Sequence, residues 1–178
     1  MTKTVLLTGA SGYIAKHIAL QLLEAGYHVR GTVRDLGRGA EVTEAVRPHL
    51  SDDSDLAVRL KFVALDLTED AGWADAMNGV DVLMHTASPF PLDQPKHEDE
   101  LIRPAVDGAM RALRAAHAAG ITRVLLTSST AAISGSALPA GDTSFDETNW
   151  TDPTDPDVAA YARSKTLAEQ AAWGFVRN

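Results

Sequence analysis

A short apolar strand that runs straight into a glycine turn and then into an amphipathic helix constrains this chain more than any other feature. V5-L6-L7, within 3–8, reads as a buried strand, and T8-G9-A10-S11-G12-Y13-I14-A15 follows it without a linker. Ile14, Ile18 and Leu22 then repeat at helical spacing up to Glu24, with Gly26 as a stop signal. Such a unit returns the chain across a sheet through a crossover connection.

The same alternation continues downstream. Further strands are expected at 27–33, 60–65, 81–85 and 123–127, and helical stretches at 38–47, 98–119 and 157–175. The long middle helix carries Leu101, Ala105, Ala109 and Leu113 on one face. Pro104 is expected either to kink its first turns or to mark where its regular part begins. Strands alternating with helices imply a parallel sheet covered on both faces, so the expected fold is a doubly wound α/β, or Rossmann, domain. A chain of 178 residues fits one such domain, and there is no internal repeat. The stretches 51–55 and 139–157 read as surface loops, the second lying where it could shape a substrate entrance.

Composition narrows the chemistry. A formal charge of -8 argues against nucleic acid or an anionic membrane as the main partner, but it leaves room for a phosphorylated ligand. Cysteine is absent, which removes disulfides, thiolate catalysis and Cys-type zinc sites. The six histidines show no H-E-x-x-H or similar spacing, so no metal is expected. No charged-then-apolar leader or long apolar run is present, and the cytoplasm is the default expectation. Trp73, Trp150 and Trp173 are taken as packing residues.

Gly9 and Gly12 sit where the first strand turns into the first helix. Glycine there lets the backbone approach a dinucleotide pyrophosphate, whose charge then meets the free N–H groups of the helix N-terminus. The alternative is a tight turn with no ligand. Ala15 stands where a third glycine often occurs and is small enough to keep helix and strand close. The second strand ends T32-V33-R34-D35. NAD readers usually place an acidic residue at this point to bind the ribose 2′-hydroxyl, whereas a guanidinium suits the 2′-phosphate of NADP(H). Arg34 is therefore the candidate, with Arg38 or, less so, Arg30 assisting; Asp35 is the rival feature, and a merely solvated Arg34 is the bland one. After the third strand, Asp66 could accept from the adenine amino group while Leu67 packs on the ring, or Asp66 could simply form a turn.

Tyr161 and Lys165 are four residues apart in a predicted helix and share a face. A neighbouring ammonium favours the phenolate and makes a phenol a better acid–base group. The same lysine can hold a nicotinamide ribose. Ser129, in T127-S128-S129 at the end of the fifth strand, would orient a substrate oxygen, with Ser128 as the second choice. Strand ends of this kind are where the fold places its ligands. His85, at the end of the fourth strand, is expected to pack near the cofactor.

These residues resemble the extended short-chain dehydrogenase/reductase family, over essentially 3–178. V29-R30-G31-T32-V33-R34-D35, H85-T86-A87-S88-P89, P104-A105-V106-D107-G108, Trp150 and the run from Tyr161 through Glu169 to Trp173 are similar to the branch of dihydroflavonol, cinnamoyl-CoA and related aldehyde reductases. The resemblance implies NADP(H), a small-molecule carbonyl substrate, Tyr161 as proton donor, Lys165 as its partner and Ser129 as the orienting hydroxyl. It also implies a cofactor set of Thr8, Gly9, Ser11, Gly12, Tyr13, Ile14, Arg34, Asp66, Leu67, Thr86, Ala87 and Ser88, together with Tyr161 and Lys165. Ala15 is a small departure from the family pattern. Length is the larger one, since family members continue into another strand and a substrate lobe. The expectation is therefore a fragment lacking that lobe, with a complementing chain or lost activity as the alternatives. Such a chain would be poorly active alone, and homo-oligomeric or partnered with a C-terminal segment. The runner-up functions are a sugar-nucleotide epimerase or dehydratase using NAD, and a non-catalytic dinucleotide-binding regulator.

Overall fold

A computed structural model of the chain describes residues 2–89, 97–138, 140–141 and 143–177. Pro139 and Asp142, in the predicted loop at 139–157, and Asn178 lie outside the described residues. The chain divides into two compact units, one made of 1–87 and 111–127, the other of 88–110 and 128–178.

The first unit holds a five-stranded parallel sheet in the order β3-β2-β1-β4-β5. Its strands are β1 (Thr4–Thr8), β2 (His28–Val33), β3 (Leu60–Ala64), β4 (Val82–His85) and β5 (Val124–Leu126). The central strand β1 shows why a continuous apolar run was needed. Leu6 and Leu7 point to opposite faces and both are fully buried. Leu6 enters a cluster with Trp73, Met77, Leu83, Ala112 and Ala116. Leu7 enters another with Ala15, Ala19, Leu23, Val29 and Leu56. The sheet is thus covered on both sides, as the alternation implied, and the strand order changes direction at β1, where β1 adjoins β4. β5 is an edge strand, and Leu125 on it is 47% exposed.

Helices α1 (Tyr13–Glu24) and α2 (Arg38–Val46) match the predicted ones to within a residue. Two short helices, α3 (Leu56–Arg59) and α4 (Trp73–Met77), were not legible, because four or five residues show no helical period. Helix α5 (Asp99–Ala118) runs through Pro104, so the proline does not mark the start of the regular part. Its predicted face is buried at Leu101, Ala105, Ala109 and Leu113.

The second unit contains α6 (Ala131–Ser134), α7 (Ala160–Arg177) and the loop between them. Most of this loop is exposed, but Thr151 is fully buried. Its hydroxyl donates to the Ala131 carbonyl at 2.8 Å and accepts from the Gly135 N–H at 2.7 Å, tying the loop to α6. Arg163 of α7 straps the other end, donating to the Pro153 and Asp155 carbonyls and pairing with Glu98. Of the three tryptophans only Trp73 packs as expected. Trp150 is 39% exposed and Trp173 47%, the latter lying beside the Arg177 guanidinium.

Candidate functional site

The glycine turn is built by long-range contacts around Thr8. Thr8 is fully buried, and its hydroxyl accepts from the N–H groups of Thr86 and Ala87 at 3.0 and 3.1 Å. The same hydroxyl lies 2.9 Å from Nδ1 of His85, within hydrogen-bond distance. Thr86 returns a bond from its hydroxyl to the Thr8 carbonyl. Thr8, Thr86 and Ala87 thus lock the ends of β1 and β4 together, and His85 is buried beneath them. Gly9 adopts φ +66, and a Cβ there would lie 3.0 Å from Cβ of Ala87. Thr32, a polar residue in an otherwise apolar strand end, accepts from the Gly9 N–H through its hydroxyl and from the Ala10 N–H through its carbonyl.

Past this turn, Gly12, Tyr13 and Ile14 are exposed, Ser11 is half-buried and Ala15 is buried. α1 has Gly12 as its N-cap residue, no side-chain cap and no acidic residue in its first turn. Its leading N–H groups therefore present an uncompensated positive end, which suits a phosphate. The residues present fit a dinucleotide pyrophosphate.

Beside β2, Arg34 is exposed. Asp66, after β3, accepts from the N–H and hydroxyl of Thr68, both on Oδ1. Those bonds first, and the nearby Arg34 guanidinium after them, hold its carboxyl below the ordinary carboxylate value. The turn-forming role of Asp66 is thus visible directly. Leu67 packs against the cluster that contains Trp73. Asp35 turns back on its own loop, accepting from the Gly37 N–H at 2.8 Å. Arg38 pairs with Glu41, which also takes Lys16. Arg30 is a correction: its guanidinium donates to the Ala76 and Asn78 carbonyls, at 2.8 and 2.6 Å, and is not available to assist Arg34.

The second unit carries the proton-transfer candidates. Tyr161 and Lys165 lie one turn apart on α7, with the ammonium 5.5 Å from the phenol ring centroid. Lys165 is 9% exposed, and burial pushes its pKa below the ordinary lysine value. It donates to the Ser88 hydroxyl at 2.7 Å. Ser128 donates to a Glu169 carboxylate oxygen, whose partner oxygen takes the Trp173 indole N–H at 3.2 Å. Ser129, just before α6, accepts from the Ala131 N–H at 3.2 Å, which leaves its own proton to give. Of the two serines, Ser129 is the one with a hydroxyl proton not spent on a carboxylate. Glu169 entered the sequence reading only as part of the run that carries the resemblance, with no role of its own, although its spacing four residues after Lys165 puts it on the same helix face.

Among the described residues there is no cluster of three or more metal-ligating side chains, and no helix long and apolar enough to cross a membrane.

Comparison with known proteins adds to this geometry. The sequence profile of the NAD dependent epimerase/dehydratase family matches residues 5–178. Cinnamoyl-CoA reductase CAD2 of Medicago truncatula is 39% identical over 181 residues, covering 98% of this chain and 53% of that protein. Anthocyanidin reductase ((2S)-flavan-3-ol-forming) of Vitis vinifera is 35% identical over 182 residues, covering 99% of this chain and 52% of that protein. Among solved structures, yeast methylglyoxal/isovaleraldehyde reductase Gre2 complexed with NADPH aligns with a TM-score of 0.79 and 30% identity, over 98% of this chain and 53% of that one. The chain spans about half the length of the curated relatives it matches.

Proposed function

The chain belongs to the NAD dependent epimerase/dehydratase family, and on that premise we propose that it is the dinucleotide-binding and proton-transfer part of an NADP(H)-dependent carbonyl reductase. The observation that carries the reading is the Lys165 ammonium, buried beside the Tyr161 ring and without an ion pair to any described carboxylate. A structural lysine is ordinarily exposed or paired. An ammonium next to a phenol, with no ion pair to a described carboxylate, stabilises the phenolate left when Tyr161 gives up its proton.

In this reading Tyr161 donates a proton to the carbonyl oxygen as that oxygen gains negative charge, and Ser129 donates a hydrogen bond that orients the same oxygen. The backbone N–H groups of the Gly9–Ile14 turn and the α1 N-terminus bind the pyrophosphate. Arg34 pairs with the 2′-phosphate, and Arg38 can join it by exchanging its Glu41 partner. Ser11 supplies a hydroxyl to the turn. Asp66 and Leu67 border the adenine. When bound, NADPH supplies the hydride. The reductase names of the relatives, and NADPH in the Gre2 structure, support this choice over an epimerase. So does arginine rather than an acidic residue directly after Val33.

The test is NADPH oxidation, followed by absorbance, against a panel of aldehydes and ketones, on this chain and on any longer gene product that contains it. Reduction of at least one carbonyl class with NADPH favoured over NADH is expected. Turnover only with NADH, or epimerisation of a sugar nucleotide with no net oxidation, would overturn the assignment.

A further inference from the structure

Lys165 has three ammonium protons and is more than nine-tenths buried, so each proton needs an acceptor. Ser88 supplies one, at 2.7 Å, from a position 77 residues away in sequence but within the same unit. Tyr161 presents its ring face at 5.5 Å. Glu169, one turn further along α7, has its two oxygens engaged by Ser128 and Trp173. Burial pushes the lysine pKa down, and among the described residues no carboxylate forms an ion pair with Lys165 to offset the cost of the buried charge. An uncharged acceptor has to do so.

We propose that Ser88 is a positioning residue of the proton-transfer group: its hydroxyl holds the Lys165 ammonium in place and charged beside Tyr161. This rests on the proton-transfer reading of Tyr161 and Lys165, and it gives Ser88 a task distinct from the cofactor contact that the sequence resemblance implied. The physical reason is the asymmetry of a hydrogen bond to an ion. Ser88 Oγ interacts strongly with the ammonium and only weakly with a neutral amine, so its presence favours the protonated lysine. Threonine at this position keeps the acceptor, whereas alanine removes it.

The experiment uses the full chain with carbon-13-labelled lysine. The lysines are Lys3, Lys16, Lys61, Lys96 and Lys165, and Lys165→Met identifies the relevant Cε resonance. Its chemical shift against pH gives the protonation midpoint directly, without cofactor or turnover. Ser88→Ala should move that midpoint down by about one pH unit, the size expected when a charge-assisted hydrogen bond is lost. Ser88→Thr should restore it to near the unmutated value. If Ser88→Ala does not give folded protein, Ser88→Val, which matches the threonine variant in shape but carries no acceptor, should move the midpoint in the same direction. An unchanged midpoint in a folded Ser88→Ala or Ser88→Val chain overturns the proposal, even if thermal stability falls, because a merely structural serine would alter stability and leave the titration alone. Calorimetric titration of the unmutated chain with NADPH tests the underlying reading separately. Its failure would remove the cofactor assignment, while the lysine titration would still decide whether Ser88 holds Lys165.

Discussion

Gly9→Ala should destabilise the chain by about 2–4 kcal/mol, from two sources that can be measured apart. The first is backbone conformation. Gly9 sits at φ +66, where an L side chain costs about 1 kcal/mol or slightly more. The second is space. The new Cβ would lie 3.0 Å from Cβ of Ala87 and 3.1 Å from its Cα, well inside the usual carbon–carbon separation of about 3.5–4.0 Å. Ala87 cannot yield cheaply, because its N–H is held by the buried Thr8 hydroxyl. Overpacking of this kind costs about 1–3 kcal/mol. Gly26 isolates the first source. It has φ +81, and a Cβ there would meet nothing within 4 Å. Gly26→Ala should therefore cost only about 1 kcal/mol. Urea denaturation followed by circular dichroism gives both values, and in a chain of 178 residues each kcal/mol corresponds to about 2–4 °C of melting temperature. Adding Ala87→Gly to Gly9→Ala removes the contacted Cβ and should recover part of the second source. If Gly9→Ala cost no more than Gly26→Ala, the close approach of the turn to Ala87 would be refuted as the reason for glycine at position 9.

Three further outcomes concern the chemistry. Arg34→Ala should weaken NADP(H) binding by about 10-fold or more and leave NAD(H) nearly unchanged, as read by calorimetry; equal losses for both cofactors would mean that Arg34 does not meet the 2′-phosphate. In a chain competent for turnover, Tyr161→Phe should lower kcat by orders of magnitude while NADPH affinity stays within about twofold, measured by steady-state kinetics and fluorescence titration. Lys165→Met bears on stability against pH. The folded-state pKa of Lys165 lies below the ordinary 10.5, so the unfolded chain binds its proton more tightly, and the cost of the buried charge is fully present below the folded value. That cost is relieved as the pH rises from the folded value towards 10.5, so the stability of the unmutated chain relative to Lys165→Met should improve across this window and stay level below it. Paired denaturation curves at a series of pH values would show a constant difference if the lysine were not buried in its charged form.

What the sequence determined by itself was everything that depends on near neighbours along the chain. Strand β1, the glycine turn and α1 follow from an unbroken apolar run, two glycines and a helical period, and Tyr161 and Lys165 share a face because four residues make one helical turn. The alternation of such units is also enough to imply a parallel sheet with both faces covered, since crossover chirality leaves few other arrangements. Tertiary structure alone decided how the same side chains are employed. Arg30 lies on β2 and Arg34 directly after it, yet the first donates to carbonyls 46 and 48 residues away and the second stays exposed. Ser128 and Ser129 are adjacent, but Glu169, 41 residues on, takes the proton of the first. Thr151 looked like one polar residue among many in a wet loop, and it is buried because α6 offers it a carbonyl and an N–H. Ser88 meets Lys165 across 77 residues. The physical reason is common to all four. A local pattern records the period of a helix or strand, whereas the partner of a polar side chain is chosen by which distant backbone or ionic group must be satisfied where water is excluded, and that is settled only when the chain packs.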